Sequence, residues 1–502
     1  MQLVADPCGV PIATVRSMRR VVVMARRSIT YRAPSSDKDL GSELTARFAA
    51  IREEFKIAPE FPPSVIEEAK DAADRADLPD RDESAVPFVT IDPASSQDLD
   101  QAMFLERDGD GYRVRYAIAD VPAFVAVGGA IDQEARKRGQ TVYCPDLRVQ
   151  LHPTELSEGA ASLLPGQVRP AFVWDIALDA DAKATTVDIY RAMVRSVRRY
   201  DYVEVQRVVD DGSGDAGLLL LKEIGEKRIA LEQQRGGASL PMPEQEVDQD
   251  EQGGYEVSFR PLVAAEDWNA QISLLAGMGA ADLMLKGKVG ILRTMPPPEQ
   301  RGLDRFRHQV AAAGVSWPKG MRYGELLHTL NGENPKHLAL IHEATALFRG
   351  AGYTPFDGEV PEQPLHAAVA APYAHVTAPL RRLVDRFGLV VCEALAAGRE
   401  VPGWVREALP TLPEIMTSSD RIANGVDRAC TDAVEAAELL AFVGSEQAAV
   451  VVDSNEKGVV VQLTEIGVVA KAKGVAKPGE SVRVRVVAAE IATGTISLLL
   501  LP

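Results

Sequence analysis

Cysteine is scarce in this sequence, and long apolar runs are lacking. Its cysteines, Cys8, Cys144, Cys392 and Cys430, lie far apart without a Cys-x-x-Cys pair, which excludes zinc ribbons and thioredoxin-type redox motifs. We expect reduced, mostly buried thiols. No apolar run approaches the roughly 20 residues that span a bilayer, and residues 1–27 hold no uninterrupted apolar core of a secretory signal. We therefore predict a cytoplasmic protein without membrane contact.

Acidic residues are lacking between Asp6 and Asp37, although the whole chain is acidic, with 55 basic against 72 acidic residues and a net charge of −17. The arginines of this window are Arg16, Arg19, Arg20, Arg26, Arg27 and Arg32. Clustered arginines favour a nucleic-acid contact because they release counterions from the phosphates. A solvated basic face and an Arg-rich targeting segment are the alternatives.

The overall composition is that of a globular protein. Apolar residues make up 46% and charged residues 25%, which excludes a disordered tail, a coiled coil and a fibre. The 502 residues allow about three domains. We predict an α+β protein with a small N-terminal helical module (1–82), a large mixed catalytic domain (83–440) and a C-terminal OB-type β-barrel (441–502).

Helical spacing marks the N-terminal module. Leu44, Phe48, Ile51 and Phe55 recur at helical intervals, and a capping box at residues 64–67 opens a second helix. With the basic stretch before them, these helices predict a helix-turn-helix or winged-helix unit that contacts nucleic acid. A helical unit that docks onto the next domain is the alternative.

The middle region begins with strands and continues with helices. Apolar and arginine residues alternate over 112–118 after a Gly-rich turn at 108–111, which predicts a hairpin with one buried face. The polar, Gly-rich segment 233–255 predicts surface loops around a short strand. Beyond residue 261 the pattern is largely helical.

Five short β segments separated by Gly, Asn and Pro predict the C-terminal barrel. They are residues 448–452, 458–463, 467–471, 481–488 and 495–500. The basic residues of this unit are Lys457, Lys471, Lys473, Lys477, Arg483 and Arg485. This charge favours an oligonucleotide-binding barrel over a purely structural cap, although few aromatic residues are present for base stacking.

Three aspartates lie close together after a short apolar strand. Asp92 follows the strand, and Asp98 and Asp100, two residues apart, point the same way if the segment is extended. Converging carboxylates stay ionised only with a hard cation among them, and oxygen ligands select magnesium or manganese. Such a site suits phosphodiester hydrolysis. An acidic turn at a strand end is the alternative.

Several motifs in a fixed order surround these aspartates. They are FVTIDPASSQDLDQAM (88–103), YAIADVPAFV (116–125), QTVYCP (140–145), LHPTELSEGAASLLPGQVRPAF (151–172) and VTAPLRRLVDRFG (376–388). Together they resemble the catalytic domain of the RNase II/RNase R family of exoribonucleases, over roughly residues 85 to 440. The C-terminal barrel is similar to the RNA-binding domain that closes these proteins.

The resemblance implies a role for individual residues. Asp92, Asp98 and Asp100 match the acids that organise the metal, and the chemistry depends most on Asp100. Tyr143 falls where the family places an aromatic ring that clamps the 3′-terminal base, with a core tyrosine as the alternative. Arg381 matches an arginine that holds phosphate near the scissile bond. We assign catalysis to Asp98, Asp100 and Arg381.

The neighbour of Arg381 completes the predicted RNA-binding set. We assign RNA binding to Tyr143, Arg381 and Arg382, although two adjacent arginines are also typical of a solvated helix start.

Two features depart from the family pattern. The family has a further aspartate directly after the position of Asp100, and this chain has Gln101 there. We include Gln101 among the predicted metal ligands because an amide oxygen can bind a hard cation. The family also opens with two small cold-shock barrels. Only about 85 residues precede the catalytic motifs here, too few for two barrels.

The resemblance predicts a hydrolytic, magnesium-dependent 3′→5′ exoribonuclease that degrades single-stranded RNA to 5′-mononucleotides, with manganese as the alternative ion. It implies no obligate protein partner. A catalytically impaired RNA-binding protein that keeps the fold is the alternative, because Gln101 removes one acid from the site. A DNA-binding regulator accounts only for the N-terminal module.

Overall fold

The structure is a computed structural model that describes residues 38–74, 76–93, 96–238, 244–249, 255–260, 263–331, 334–455, 458–464, 466 and 468–502. The arginine-rich window before residue 38 and Lys457 lie outside these residues. The predictions of a nucleic-acid contact by that window and of a winged helix therefore stay predictions.

The α-helices are α1 (Lys38–Glu54), α2 (Pro63–Asp74), α3 (Ala130–Arg138), α4 (Tyr202–Asp210), α5 (Ala216–Arg235), α6 (Ala264–Gly287), α7 (Gln300–Ala312), α8 (Tyr323–Leu327), α9 (Pro335–Ala344), α10 (Leu383–Ala396), α11 (Gly403–Ala408) and α12 (Leu412–Leu440). In the catalytic region the strands are β1 (Asp82–Ile91), β2 (Gln101–Asp108), β3 (Gly111–Ala119), β4 (Val142–Tyr143), β5 (Arg148–Val149), β6 (Val168–Leu178), β7 (Ala184–Tyr200), β8 (Glu244–Gln249), β9 (Tyr255–Arg260), β10 (Val289–Thr294), β11 (Gly352–Asp357), β12 (Leu365–His366) and β13 (Ala371–Pro372). The C-terminal strands are β14 (Glu446–Asn455), β15 (Gly458–Leu463), β16 (Val469–Lys473), β17 (Ser481–Glu490) and β18 (Thr495–Leu500). Across the described residues, no helix combines the length and the apolar character needed to cross a membrane.

A closed barrel of β1, β2, β3, β6 and β7 forms the first half of the catalytic region. Its neighbouring strands are antiparallel except β1 and β7, which run parallel and close the barrel. The β2–β3 hairpin confirms the prediction: Gln101 pairs with Ile118, Asp108 pairs with Gly111, and the alternating apolar residues are buried. Because β1 and β2 are antiparallel, Ile91 and Gln101 lie at the same rim of the barrel.

Helices α5, α6 and α10 cover one side of this barrel. Tyr116 and Trp174 of the barrel share one hydrophobic core with Ile272 of α6 and Phe387 of α10. Helices α5 and α6 pack closely at Gly225, where an added β-carbon would lie 2.6 Å from the β-carbon of Trp268. The rim of the barrel is therefore held by a well-packed support.

The N-terminal helices dock onto the catalytic region. Phe48 and Ile51 of α1 pack with Val426 of α12, and Val65 of α2 joins a second core beneath the barrel. Glu68 of α2 accepts a hydrogen bond from the first backbone N–H of α3 (2.5 Å). Both predicted helices form, and their described residues pack against the catalytic region.

The C-terminal strands confirm the predicted OB-type barrel. They close in the order β14, β15, β16, β18, β17, and β16 and β18 pair in parallel. Valines and leucines fill its interior. On its surface, Arg483 and Arg485 both bind Glu446 at 2.9 Å, while Lys471 and Lys473 are exposed on β16.

The short strand expected within the polar segment 233–255 is β8. Its partner was not expected: β8 pairs with β9, which begins at the last residue of that segment, from Glu244 opposite Arg260 to Gln249 opposite Tyr255. The second strand carries a period-2 signal, because Tyr255, Val257 and Phe259 alternate with polar residues, but the expectation stopped at residue 255 and did not use it.

Candidate active site

The loop between β1 and β2 carries the three predicted acids along the rim of the first barrel. Asp92 is fixed at the end of β1 because its backbone N–H donates to the Tyr200 carbonyl of β7 (3.1 Å). Further along, the side chain of Leu99 is buried, and its backbone N–H donates to the Ser162 hydroxyl (3.0 Å). Because Asp98 and Asp100 flank this anchored residue, their positions are set by the fold.

Asp100 is buried and bound to the loop that precedes α10. Its side chain accepts a hydrogen bond from the Leu380 backbone N–H (2.7 Å), and its other oxygen lies 3.6 Å from Nε of Arg381. Burial raises the pKa of this carboxyl well above its usual range, although Arg381 acts in the opposite direction. The residue is 5% exposed. Its ionised form therefore depends on nearby positive charge.

Asp92 has a carboxylate oxygen that no hydrogen bond satisfies. Its Oδ2 atom is buried and has no partner among the described residues. Burial raises the pKa of Asp92 to about 7, while the charges of Arg199 and Arg381 lower it. A buried carboxylate oxygen without a donor is the kind of ligand that a hard cation satisfies.

Asp98 is held by an arginine that the sequence did not single out. Its Oδ1 atom lies 3.1 Å from Nη1 of Arg148, and the Asp98 side chain is 8% exposed. Within the described ranges, no three His, Cys, Asp or Glu side chains are placed to hold one metal ion together. The donor set, which consists of hard oxygens with an unpartnered atom on Asp92, fits magnesium or manganese.

Gln101 contacts protein groups through both ends of its amide. Its Oε1 atom accepts a hydrogen bond from the Tyr116 hydroxyl (2.5 Å), and its Nε2 donates to the Thr377 carbonyl (2.7 Å). The Tyr116 hydroxyl also lies 2.7 Å from the Ser273 hydroxyl of α6. Gln101 thus links the barrel to the loop that carries Arg381, and its predicted role as a metal ligand stays a prediction.

Tyr143 lies on β4 beside the same loop. The segment that leads into β4 is held against this loop because the backbone N–H of Thr141 donates a hydrogen bond to the backbone carbonyl of Arg381 (3.0 Å). Its side chain is 49% exposed. Burial of part of the group, with the negative charges of Asp98 and Asp100, raises the pKa of Tyr143 to about 12. An accessible ring near these acids is compatible with the base-clamp prediction, which stays a prediction.

The adjacent arginines Arg381 and Arg382 differ in their surroundings. Arg382 donates two hydrogen bonds to the buried carboxylate of Asp385 (3.0 and 2.8 Å), which also accepts the Ala378 N–H (2.7 Å). Arg381 is 47% exposed in its side chain and lies beside Asp100 without a hydrogen bond to it. Arg381 is therefore the more accessible of the two for a phosphate, while Arg382 stabilises the start of α10.

Comparison with known proteins assigns this fold. The RNB domain model matches residues 80–395, and the model of the RNase II-type exonuclease C-terminal S1 domain matches residues 445–500. The chain belongs to the RNB-domain family. This confirms the resemblance inferred from the sequence motifs, and the C-terminal barrel is the S1 domain of this family.

Individual RNB proteins are similar over large parts of the chain. Ribonuclease R of Escherichia coli (strain K12) is 30% identical over 341 residues, which cover 64% of this chain and 40% of that protein. The chain therefore spans about two fifths of the length of this relative. The structure of Mycoplasma genitalium RNase R in complex with ribose methylated single-stranded RNA matches with a TM-score of 0.82 at 19% identity, covering 91% of this chain and 78% of that one.

The same fold occurs in a protein described as a pseudonuclease. Yeast Ssd1, a pseudonuclease, matches with a TM-score of 0.66 at 18% identity, covering 80% of this chain and 52% of that chain. At these identities the likeness shows the fold alone. The activity must therefore be argued from the residues of the site.

Proposed function

We propose that this protein is a hydrolytic, divalent-metal-dependent 3′→5′ exoribonuclease that degrades single-stranded RNA to 5′-mononucleotides. The observation that carries the proposal is the pair of carboxylates at one rim of the barrel: Asp100 is buried beside Arg381, and the half-buried Asp92 has a buried oxygen without a hydrogen-bond partner among the described residues. Membership of the RNB family supports the reaction type. The single-stranded substrate and the direction of degradation rest on the family resemblance.

Asp92, Asp98 and Asp100 would hold magnesium, or manganese, at this rim after a shift of their side chains, because in their present positions no three acidic side chains of the described residues surround one ion. When bound, such an ion activates water for attack on phosphorus and neutralises charge that develops on the phosphate. The chain contributes the positions of the carboxylates: Leu380 fixes one oxygen of Asp100, and the end of β7 fixes the backbone of Asp92. Their burial keeps bulk water away and strengthens each charge interaction.

Arg381 and Tyr143 would bind the nucleotide. The exposed guanidinium of Arg381 offers several N–H donors in a planar fork, which suits two oxygens of one phosphate. Tyr143 offers an accessible ring for the terminal base. Arg382 supports this arrangement indirectly, because its bonds to Asp385 hold the loop on which Arg381 lies.

A 5′-labelled single-stranded oligoribonucleotide, incubated with and without magnesium, tests the proposal. Wild type should shorten it from the 3′ end only with the metal. Asp100→Asn keeps the shape and the acceptor for Leu380 but removes the charge, so hydrolysis should fall by at least about a hundredfold while RNA binding persists. Asp110→Asn, in the exposed β2–β3 turn, is the matched control and should remain active. Near wild-type hydrolysis by Asp100→Asn contradicts the proposed mechanism.

A catalytically impaired RNA-binding protein is the second candidate. The neutral Gln101, with both ends of its amide engaged by Tyr116 and Thr377, is the observation that favours it. The same assay separates the two functions. Binding of the oligoribonucleotide without shortening, in the presence of either magnesium or manganese, would support this candidate.

A further inference from the structure

Arg148 joins the candidate metal site to the strand pair that carries Tyr143. In the antiparallel pair β4–β5, Arg148 lies directly opposite Tyr143. Its Nη1 atom is 3.1 Å from Oδ1 of Asp98, and its side chain is 29% exposed. Arg148 is thus paired through its backbone with the proposed base clamp and through its side chain with a metal-organising acid.

The ion pair changes what Asp98 can do. A guanidinium and a divalent cation compete for the same carboxylate oxygens, and both neutralise the same charge. Asp98 raises the pKa of Asp92 and of Asp100 through its negative charge, so a cation next to Asp98 relieves the repulsion among all three acids. Arg148 supplies that cation in the structure as it stands.

A cavity lined by Arg148 could hold its guanidinium group in an alternative side-chain position. Its volume is about 640 Å³, and Arg148 lines it together with Gln97, Phe61, Glu60 and Glu158. The two glutamates give this cavity negative charge. A displaced arginine side chain therefore has both room and a counter-charge in this cavity.

We propose that Arg148 is a positioning residue that holds Asp98 while the metal is absent and moves into the adjacent cavity when the metal binds. The inference rests on the proposed metal-dependent function. This role of Arg148 differs from that of a fixed structural ion pair in its effect on metal affinity, which can be measured. If Arg148 competes with the metal, removing its charge tightens metal binding, whereas if it only supports Asp98, removing it leaves metal binding unchanged or weaker.

Manganese titration of the RNA-free full-length protein, with free Mn²⁺ followed by electron paramagnetic resonance, measures this competition. Arg148→Gln should bind Mn²⁺ about three- to tenfold more tightly, as expected for losing a partly buried competing ion pair. Arg148→Lys keeps the charge and should remain close to wild type. Arg113→Gln removes an Arg–Asp pair with Asp175 elsewhere on the same barrel and should leave the affinity unchanged.

Thermal unfolding gives a readout that needs no catalysis. Without metal, Arg148→Gln leaves Asp98 without its counter-ion, so the melting temperature should fall below that of wild type. Adding Mn²⁺ should raise the melting temperature of this variant by more than it raises that of wild type, because tighter binding stabilises the folded state further.

Two results would overturn the inference: a manganese affinity of Arg148→Gln equal to or below wild type, or equal tightening by Arg148→Lys. If Arg148→Gln does not fold, crystal structures of wild type with and without Mn²⁺ test the inference instead. An intact Arg148–Asp98 ion pair beside bound Mn²⁺ would overturn the inference. Failure of the proposed function is distinguishable, because wild type would then hydrolyse RNA with neither ion.

Discussion

Gln101 offers the sharpest test of how far the family's metal site extends in this chain. Gln101→Asp restores the carboxylate that the family pattern has at this position, but it shortens the side chain and removes the amide donor. The Thr377 carbonyl then loses its 2.7 Å hydrogen bond, and Tyr116 loses its closest acceptor. Leaving a buried polar group unpaired costs about 1 to 3 kcal/mol, so we expect the metal-free protein to lose about that much stability.

The added charge acts in the opposite direction on the metal. One more carboxylate next to Asp100 increases the negative charge that attracts magnesium, and the charge of the ligand set is a main determinant of affinity for hard cations. A stabilisation of about 1 kcal/mol, modest for a partly screened charge pair, corresponds to about a fivefold change in affinity. We therefore expect the half-saturating magnesium concentration for hydrolysis to fall about fivefold.

Gln101→Ala is the matched control because it removes the same hydrogen bonds without adding a charge. Magnesium titrations of RNA hydrolysis by wild type, Gln101→Asp and Gln101→Ala separate the two effects. A half-saturating magnesium concentration in Gln101→Asp that equals that of wild type or of Gln101→Ala, or exceeds it, would refute the reasoning. Gln101 would then lie outside the metal ligands and act only as the link between Tyr116 and Thr377.

Two further predictions concern RNA binding. Tyr143→Ala should change the size of the final product or slow the last steps, because a stacked base contributes about 1 to 3 kcal/mol; gel analysis of end products checks this, and a large drop in melting temperature with normal products would indicate a core role instead. Replacing Lys471 and Lys473 of β16 by Gln should reduce the slope of log affinity against log salt by about 1.4, from about 0.7 per phosphate contact on single strands; an unchanged slope in filter-binding titrations would show that these two lysines make no phosphate contact.

The sequence predicts this fold well where short-range patterns decide it. The β2–β3 hairpin follows from alternation around a Gly-rich turn, and the S1 barrel follows from five short apolar segments, of which residues 458–463 and 495–500 are reproduced to the residue. Strand β9 was missed because the polar segment was expected to end at residue 255, although Tyr255, Val257 and Phe259 alternate with polar residues. Local patterning therefore predicted the β2–β3 hairpin and the C-terminal barrel, but not the closure of the first barrel, in which β1 pairs with the distant β7.

The site was predicted through its acids, but not through the contacts that organise them. Gln101 meets Thr377 across 276 positions, and Asp98 meets Arg148 across 50. No periodicity connects residues so far apart, and only the folded barrel brings them together. Both Arg381 and Arg382 were assigned to RNA binding from the sequence, and only the structure shows that Arg382 is engaged by Asp385, three residues further on.

The hydrogen bond between Asp100 and Leu380 has a consequence for the order of events during synthesis. The two residues are 280 positions apart, and the loop that supplies Leu380 also carries Arg381. A chain emerging from the ribosome exposes its acids long before it exposes their partners, and contacts over such separations form late in folding. An unfinished chain, still attached to the messenger RNA that encodes it, therefore lacks the groups that complete the candidate site.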